Sequence, residues 1–203
     1  MPEHNLRLVV GLGNPGTDYQ HTRHNAGFIA IDALSDTFGI DNTAGTTEHD
    51  IWFTRGYVAE RDVLIAKPLA YMNRSGLAVF RLAERFGIPH EDLLVVHDDI
   101  DLELGRVKIK EKGGDGGHRG ISSLIDVFDR NDFIRLRIGI GRPPPDISVT
   151  EHVLGRFTTE DREVLDATLA RIQEAVVTIL RDGATVAMNR FNSRQDPIYQ
   201  SHS

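Results

Sequence analysis

The sequence contains no cysteine. That excludes disulfides, thiolate metal sites and a thiol nucleophile. No apolar run approaches the ~18 residues that a membrane-spanning helix needs. The opening Met1-Pro2-Glu3-His4-Asn5-Leu6-Arg7 leads into an apolar stretch and lacks the shape of a signal peptide. Together with the missing cysteine, this gives a cytoplasmic expectation. There is no G-x-S-x-G elbow and no H-E-x-x-H pair, so serine-hydrolase and zinc-protease readings have no support. Positive charge is also short: 23 Lys and Arg face 30 Asp and Glu, a net −7. In bulk, that argues against a nucleic-acid partner. The distribution argues the other way. Residues 106–142 hold nine Lys or Arg against five Asp or Glu, so they carry +4 and the remainder −11. One region can therefore meet a polyanion while the rest keeps the chain in solution.

What is present fits one domain. The chain has 203 residues, 40% apolar and 26% charged, with no repeat or composition break. The expectation is a single domain over residues 1–203, with 193–203 as a flexible polar tail. Residues 6–12 read as a buried strand. Apolar spacing over 26–38 predicts a helix, with Gly39 at its C-terminal cap. Residues 51–58 and 63–66 read as a hairpin around Glu60-Arg61-Asp62. A helix over 77–86 has Asn73 or Ser75 as candidate caps and Gly87 as its stop. Residues 93–97 form a short strand. In 106–110, Arg106, Lys108 and Lys110 share one face, and in a strand over 135–140 Arg135 and Arg137 do the same. Helices are predicted over 121–128, 160–181 and 184–191, with Thr158 and Asp161 as a capping pair for the long one. Strands alternating with helices indicate an α/β fold, and the hairpin makes the sheet mixed.

The first strand runs into Leu8-Val9-Val10-Gly11-Leu12-Gly13-Asn14-Pro15-Gly16, which contains G-x-G-x-x-G. A dinucleotide loop would pass directly into a helix and be followed by an acid about twenty residues on. Here helical periodicity resumes only near Ala26, and Asp32 falls inside that helix. Pro15 also pushes Asn14 toward an extended conformation. The alternative is a turn that aims Asn14 into a cleft, where its amide offers both donor and acceptor to a peptide-like ligand.

Other groups suited to chemistry are scattered along the chain. His24 precedes the first helix and has the pKa range of a general base. His97-Asp98-Asp99 ends a buried strand, where α/β proteins place functional groups. Alternation sends Asp98 and Asp99 to opposite sides, which favours a carboxylate that orients a histidine over a metal site. Tyr71 can stack on a base or sugar, and Asn73 can donate to a developing oxyanion. The run Gly113-Gly114-Asp115-Gly116-Gly117-His118-Arg119-Gly120 lacks a P-loop ending, but with Lys108 and Lys110 it can form a phosphate clamp.

Taken together, Val9 to Gly16, Tyr19 with Thr22-Arg23-His24-Asn25-Ala26-Gly27, Lys67 to Gly76, Val95 to Leu102, the glycine run and Arg135 to Pro143 resemble the bacterial-type peptidyl-tRNA hydrolase family. Ala187 to Asn192 fits as well. The resemblance covers nearly the whole chain in order and spacing. It implies a single domain with a twisted, mixed, mainly parallel sheet flanked by helices. It implies hydrolysis of the ester between a peptide and the 3′-terminal ribose of tRNA, with no metal or organic cofactor, by a monomer with no membrane or obligate protein partner. Carried over by motif, His24 is the base, Asp98 its orienter, and Asn14 the contact to the peptide main chain. Asn73, Tyr19, Tyr71 and Met72 hold the acceptor end, with His118 and Arg119 beside them. Lys108, Lys110 and Arg137 receive tRNA phosphates. The family's usual asparagine after the loop histidine is Arg119 here, which adds charge and removes an acceptor. The alternative function is a non-catalytic RNA-binding adaptor on the same fold.

Overall fold

The computed structural model describes residues 6–193. The expected tail therefore lies, from residue 194 on, outside the described residues. The elements run β1 (Arg7–Gly11), α1 (Ala26–Phe38), β2 (Thr46–Glu48), β3 (Ile51–Val58), β4 (Arg61–Pro68), α2 (Ser75–Phe86) and β5 (Leu93–Asp99). They continue as β6 (Val107–Lys110), α3 (Arg119–Phe128), β7 (Ile134–Gly139), α4 (Val149–Leu154), α5 (Thr159–Asp182) and α6 (Ala184–Phe191). All strands join one sheet in the order β2-β3-β4-β1-β5-β7-β6. The inner pairs β4–β1, β1–β5 and β5–β7 are parallel, and the β2–β3, β3–β4 and β6–β7 pairs are antiparallel. The mixed α/β sheet flanked by helices is thus the observed architecture, with its pairs divided evenly, three parallel and three antiparallel, where a mainly parallel sheet was expected.

The near-continuous apolar runs of β1 and β5 follow from burial on both sides. Leu8, Val9 and Val10 are all wholly buried. Val9, Ile65, Val96 and Leu136 face a core built with Ile31 and Leu34 of α1, Ile172 and Val176 of α5, and Phe191 of α6. Leu8, Val10, Leu64 and Val95 face a second core, with Val79 and Leu82 of α2, Ile121 and Leu124 of α3, and Phe133. Three layers result, and the C-terminal ends of the central parallel strands open onto one rim.

Local signals account for most boundaries. Gly39 and Gly87 end α1 and α2 in the left-handed conformation. Thr158 accepts from the Asp161 N–H at the start of α5. One cap departs from expectation. A 3₁₀ turn over Met72–Arg74 runs straight into α2, and neither Asn73 nor Ser75 caps the helix. The Ser75 N–H already donates to the Met72 carbonyl, so the turn supplies the continuity itself. Two elements were not expected, β2 and α4, because both are too short to show periodicity. A capping box from Ser148 to Glu151 marks α4 all the same.

Two glycines set how α1 meets the sheet. A Cβ on Gly27 would lie 2.4 Å from the Val96 carbonyl oxygen and 2.5 Å from that of Leu12. A Cβ on Gly11 would lie 2.4 Å from the Gly27 carbonyl oxygen. Helix backbone therefore rests on strand backbone, and the turn before α1 is carried to the rim beside β1 and β5. Gly27→Ala should push α1 off the sheet and cost about 1–3 kcal/mol or more, as overpacking does. Urea unfolding checks this; an unshifted midpoint would mean that α1 moves aside without cost.

Candidate active site

The 3₁₀ turn over Arg23–Asn25 leads into α1 and presents His24 at the rim. Asp98 sits at the end of β5. Both are buried, Asp98 almost completely. His24 Nδ1 lies 2.9 Å and 3.1 Å from the two carboxylate oxygens of Asp98. An ionised carboxylate can only accept, so Nδ1 carries the proton and donates. In the neutral ring Nε2 is then the accepting nitrogen, and no protein group among the described residues bonds it.

His118 reaches the same carboxylate from the other side. Its Nε2 lies 2.9 Å from Asp98 Oδ1. Its Nδ1 accepts the N–H groups of Gly120 and Ile121 at 3.2 Å and 3.3 Å, which caps α3. These bonds fix the opposite tautomer, with the proton on Nε2. Burial raises the Asp98 carboxyl, but the electrostatic attraction and hydrogen bonds of the two imidazoles, His24 and His118, outweigh it and hold the group well below the usual carboxylate range. The atoms of His24, Asp98 and His118 that could ligate a cation all lie within 4.8 Å of one another. A cation there would have to displace both histidine–aspartate hydrogen bonds, so the donor set fits a hydrogen-bonded network better than a metal centre.

The neighbouring groups of β5 have other partners, although Asp99 also lines the cleft. Asp99 accepts from Arg137 Nε at 2.6 Å. His97 is buried, donates from Nδ1 to the Asp98 carbonyl at 2.7 Å, and stands edge-on to His118 with ring centroids 4.7 Å apart. Its Nε2 is buried with no partner. Burial, aided by His118, pushes the His97 pKa well below that of free histidine, against the pull of Asp98.

Asn14 is oriented by a chain of amides. The Asn25 side chain holds its backbone at both ends, accepting from the Asn14 N–H at 2.9 Å and donating to its carbonyl at 3.0 Å. The Met72 N–H donates to Asn14 Oδ1 at 2.9 Å. That bond settles which end of the amide is which, so Nδ2 is the end left for the cleft. The cleft has a volume of about 310 Å³, and Asn14, His24, Asp98, His118, Tyr19, Tyr71, Met72, Asn73 and Arg119 all line it.

Comparison with known proteins decides the family. A family model described as peptidyl-tRNA hydrolase matches residues 8–198. The peptidyl-tRNA hydrolase of Caldanaerobacter subterraneus subsp. tengcongensis is 43% identical over 187 residues, covering 92% of this chain and 100% of that protein. The chain belongs to the peptidyl-tRNA hydrolase family. The Chloroflexus aurantiacus peptidyl-tRNA hydrolase is 42% identical over 186 residues, covering 91% of this chain and 98% of its own length. The crystal structure of the Acinetobacter baumannii peptidyl-tRNA hydrolase superposes with a TM-score of 0.83 at 35% identity, covering 95% of this chain and 97% of that one.

Against this family frame, the sequence-derived residues fall into groups. Asn14, Asn73, His24 and Asp98 share the one cleft. Tyr71 is exposed at its mouth and Tyr19 is half-buried. The Met72 side chain is buried against Gly120, and its backbone is what serves the site. Both His118 ring nitrogens are engaged by protein groups. Arg119 opens α3 at the rim, exposed and without a protein partner among the described residues. Lys108, Lys110 and Arg137 lie outside this cleft. Lys108 pairs with Arg137 and Lys110 with Arg135 across β6 and β7, so the two basic faces do merge. They are not equally available. Arg135 is buried and donates to the carbonyls of Gly113, Gly114 and Asn131, where it holds the glycine loop. Arg137 is paired with Asp99, whereas Lys108 and Lys110 form no ion pair among the described residues.

Sequence reasoning passed over Asn25 and α4, and it noted His97 only beside Asp98, as part of a metal reading. Asn25 is the clamp on Asn14, His97 backs His118, and α4 supplies an apolar wall through Val149, Val153 and Leu154. Only α4 had a readable signal, its capping box.

His97 gives a stability prediction. Its folded pKa is depressed, so the unfolded chain takes up a proton that the folded chain refuses once pH falls below about 6.5. The stability is present above that pH and is lost as pH drops toward 5. His97→Phe should flatten the fall by up to ~1.4 kcal/mol per pH unit over this window. Urea unfolding at a series of pH values measures the slope; an identical slope in the variant would remove His97 as the source.

Proposed function

We propose that this chain hydrolyses the ester joining a peptide, or an N-blocked amino acid, to the 3′-terminal ribose of tRNA, with His24 as general base. The observation that carries this reading is the His24–Asp98 pair. Asp98 holds the Nδ1–H tautomer, which leaves Nε2 free to take a proton from water at the cleft. The water oxygen attacks the ester carbonyl, a tetrahedral oxyanion forms, and the proton returns from Nε2 to the ribose oxygen as the C–O bond breaks. The products are tRNA with a free 3′ hydroxyl and a peptide acid. The imidazolium of the intermediate sits against an ionised, buried carboxylate, which stabilises it. A positioned base contributes about 10²–10⁴-fold. An amide donor to the oxyanion adds about 2.7–4 kcal/mol at best.

In this reading Asn14 Nδ2 donates to the main chain of the acyl part. A substrate with a free, protonated amine would lose hydration there, and the lining carboxylates Asp98, Asp99 and Asp115 already accept from His24 and His118, from Arg137 and from the Gly117 N–H, so unblocked aminoacyl-tRNA is spared. Asn73, Tyr19 and Tyr71 hold the acceptor end where they line the cleft, and the Met72 N–H keeps Asn14 in register. His118 keeps Asp98 in place, and Arg119 meets the phosphate next to the terminal nucleotide. Lys108 and Lys110 receive tRNA phosphates; Arg137 joins them while still held by Asp99. We take the chain to act as a monomer, as the family resemblance implies, and place the activity in the cytoplasm. No helix among the described residues is long and apolar enough to cross a membrane. A non-catalytic RNA adaptor on this fold would have no use for a base held by its own carboxylate.

His24→Ala should lower single-turnover cleavage of N-acetyl-aminoacyl-tRNA by at least about 10²-fold while tRNA affinity stays near its original value. Equal turnover would remove His24 from the mechanism, and equal cleavage of unblocked aminoacyl-tRNA would remove the role given to Asn14. Replacing Lys108 and Lys110 together by Ala should reduce the slope of log affinity against log salt by roughly 0.7–0.9 per lost phosphate contact. A slope unchanged from the parent protein would take the tRNA off this face.

A further inference from the structure

The turn that carries His24 has little to hold it from within. Neither Thr22 at its start nor Asn25 at the entry to α1 makes a side-chain cap, and Asn25 gives its amide to Asn14 instead. The fixing contacts come from residues 155–161, which link α4 to the first turn of α5. The Arg23 N–H donates to the Gly155 carbonyl at 3.0 Å, and the Phe157 N–H donates to the His21 carbonyl at 3.1 Å. Between them Thr22 and Arg156 pair as an antiparallel bridge. The Arg23 side chain strengthens this short ladder. Its Nη1 donates to the Arg156 carbonyl at 2.9 Å, and its Nη2 pairs with the Asp161 carboxylate at 2.6 Å. The guanidinium carbon lies 5.5 Å from the centre of the Phe157 ring.

This arginine is not placed to touch a substrate. Its side chain is only 12% exposed, both Nη groups are engaged, and Nε is buried. It lies behind the cleft rather than on its lining. Its anchor is firm, because Asp161 stands in the first turn of α5, and α5 packs Leu165, Ile172 and Val176 into the core under the sheet. The fit is close as well: a Cβ on Gly155 would lie 3.2 Å from Arg23 Nη1. Two things could gain from such a clamp, the His24 turn and the α4 wall that ends just before Gly155. The wall has a tie of its own, since His152 Nε2 donates to the Gly141 carbonyl at 2.9 Å. The turn has no equivalent, and His24 is the next residue in it.

We propose that Arg23 is a positioning residue for the hydrolysis: clamped to Arg156 and Asp161, it fixes the turn of His24 so that Nδ1 meets Asp98 and Nε2 faces the cleft. This rests on the proposed function, in which His24 is the base. Arg23 acts through His24 alone and binds neither tRNA nor peptide. A reacting group displaced by about 1 Å can lose on the order of 10²-fold in rate, so a clamp remote from the ester still governs turnover.

The test is single-turnover cleavage of N-acetyl-aminoacyl-tRNA at saturating enzyme. Arg23→Met keeps an apolar stem over Phe157 but loses the donors. Asp161→Ala removes the anchor and leaves a good helix former in α5, so the fold is kept. Each should slow cleavage by about tenfold, part of what a full ångström of displacement costs, while tRNA affinity is unchanged. Arg23→Lys, whose single ammonium can meet Asp161 but not Arg156 as well, should recover part of the rate. In a His24→Ala background neither substitution should slow cleavage further, because no base is left to position. A loss of the same size in that background overturns the inference and moves the clamp's role to the α4 wall. Parental rates in Arg23→Met and Asp161→Ala overturn it too. The second readout is the pair of imidazole N–H proton signals in the NMR spectrum. In Asp161→Ala the His24 Nδ1–H signal should broaden into exchange with water while that of His118 Nε2–H persists. Retention of both signals, or loss of both, overturns the inference. Failure of these arms leaves His24 as the base, whereas parental cleavage by His24→Ala alone removes the base and the clamp together.

Discussion

The Asp98 carboxylate is taken out of water and kept ionised by two imidazoles that donate to it from different elements. Removing an ion from water is costly, and the cost is offset only where the buried charge is paired and its lone pairs are filled. His24 comes from the turn before α1, and His118 caps α3 from the opposite core. Each reaches Asp98 only while its own helix keeps its seat on the sheet. The carboxylate therefore links the packing of both cores to which nitrogen of His24 donates. Neutral residues of the same shape would fold as well, but they would not fix which nitrogen of His24 is free.

The surrounding contacts follow the same logic of commitment. Most polar groups near the cleft are already bonded within the protein, and the few left unengaged define what a substrate meets. Asn14 spends its oxygen on Met72 and keeps its Nδ2 for the cleft. Arg135 and Arg137 are engaged by the glycine loop and Asp99, whereas Lys108 and Lys110 form no ion pair among the described residues. The net −7 of the chain is compatible with an RNA substrate because the charge that matters is local. It gathers on the β6 edge.

Much of the fold was legible in the chain. The helices α1, α5 and α6 and the inner strands follow from apolar spacing, and Gly39, Gly87 and Thr158 mark ends through their own backbone preferences. The short elements were not legible, since β2 and α4 hold too few residues for a period to appear. In the site, Asn14, His24, Asn73 and Asp98 were singled out by residue type and family resemblance. Asn25 was not, and His97 was noted without its part beside His118, because an amide that clamps a backbone and a histidine packed on another ring look like any other of their kind until their partners are in place.

The sequence by itself determined the alternation of strands and helices, the helix ends and the set of side chains able to do acid–base and amide chemistry. These depend on neighbours a few positions away, and periodicity or backbone preference records them. Only the tertiary structure decided which nitrogens of His24 and His118 donate and the availability of each basic residue. Those depend on contacts between residues as far apart as His24 and Asp98, separated by 74 positions. No local pattern encodes such a distance; packing α1 and α3 onto the two faces of one sheet does.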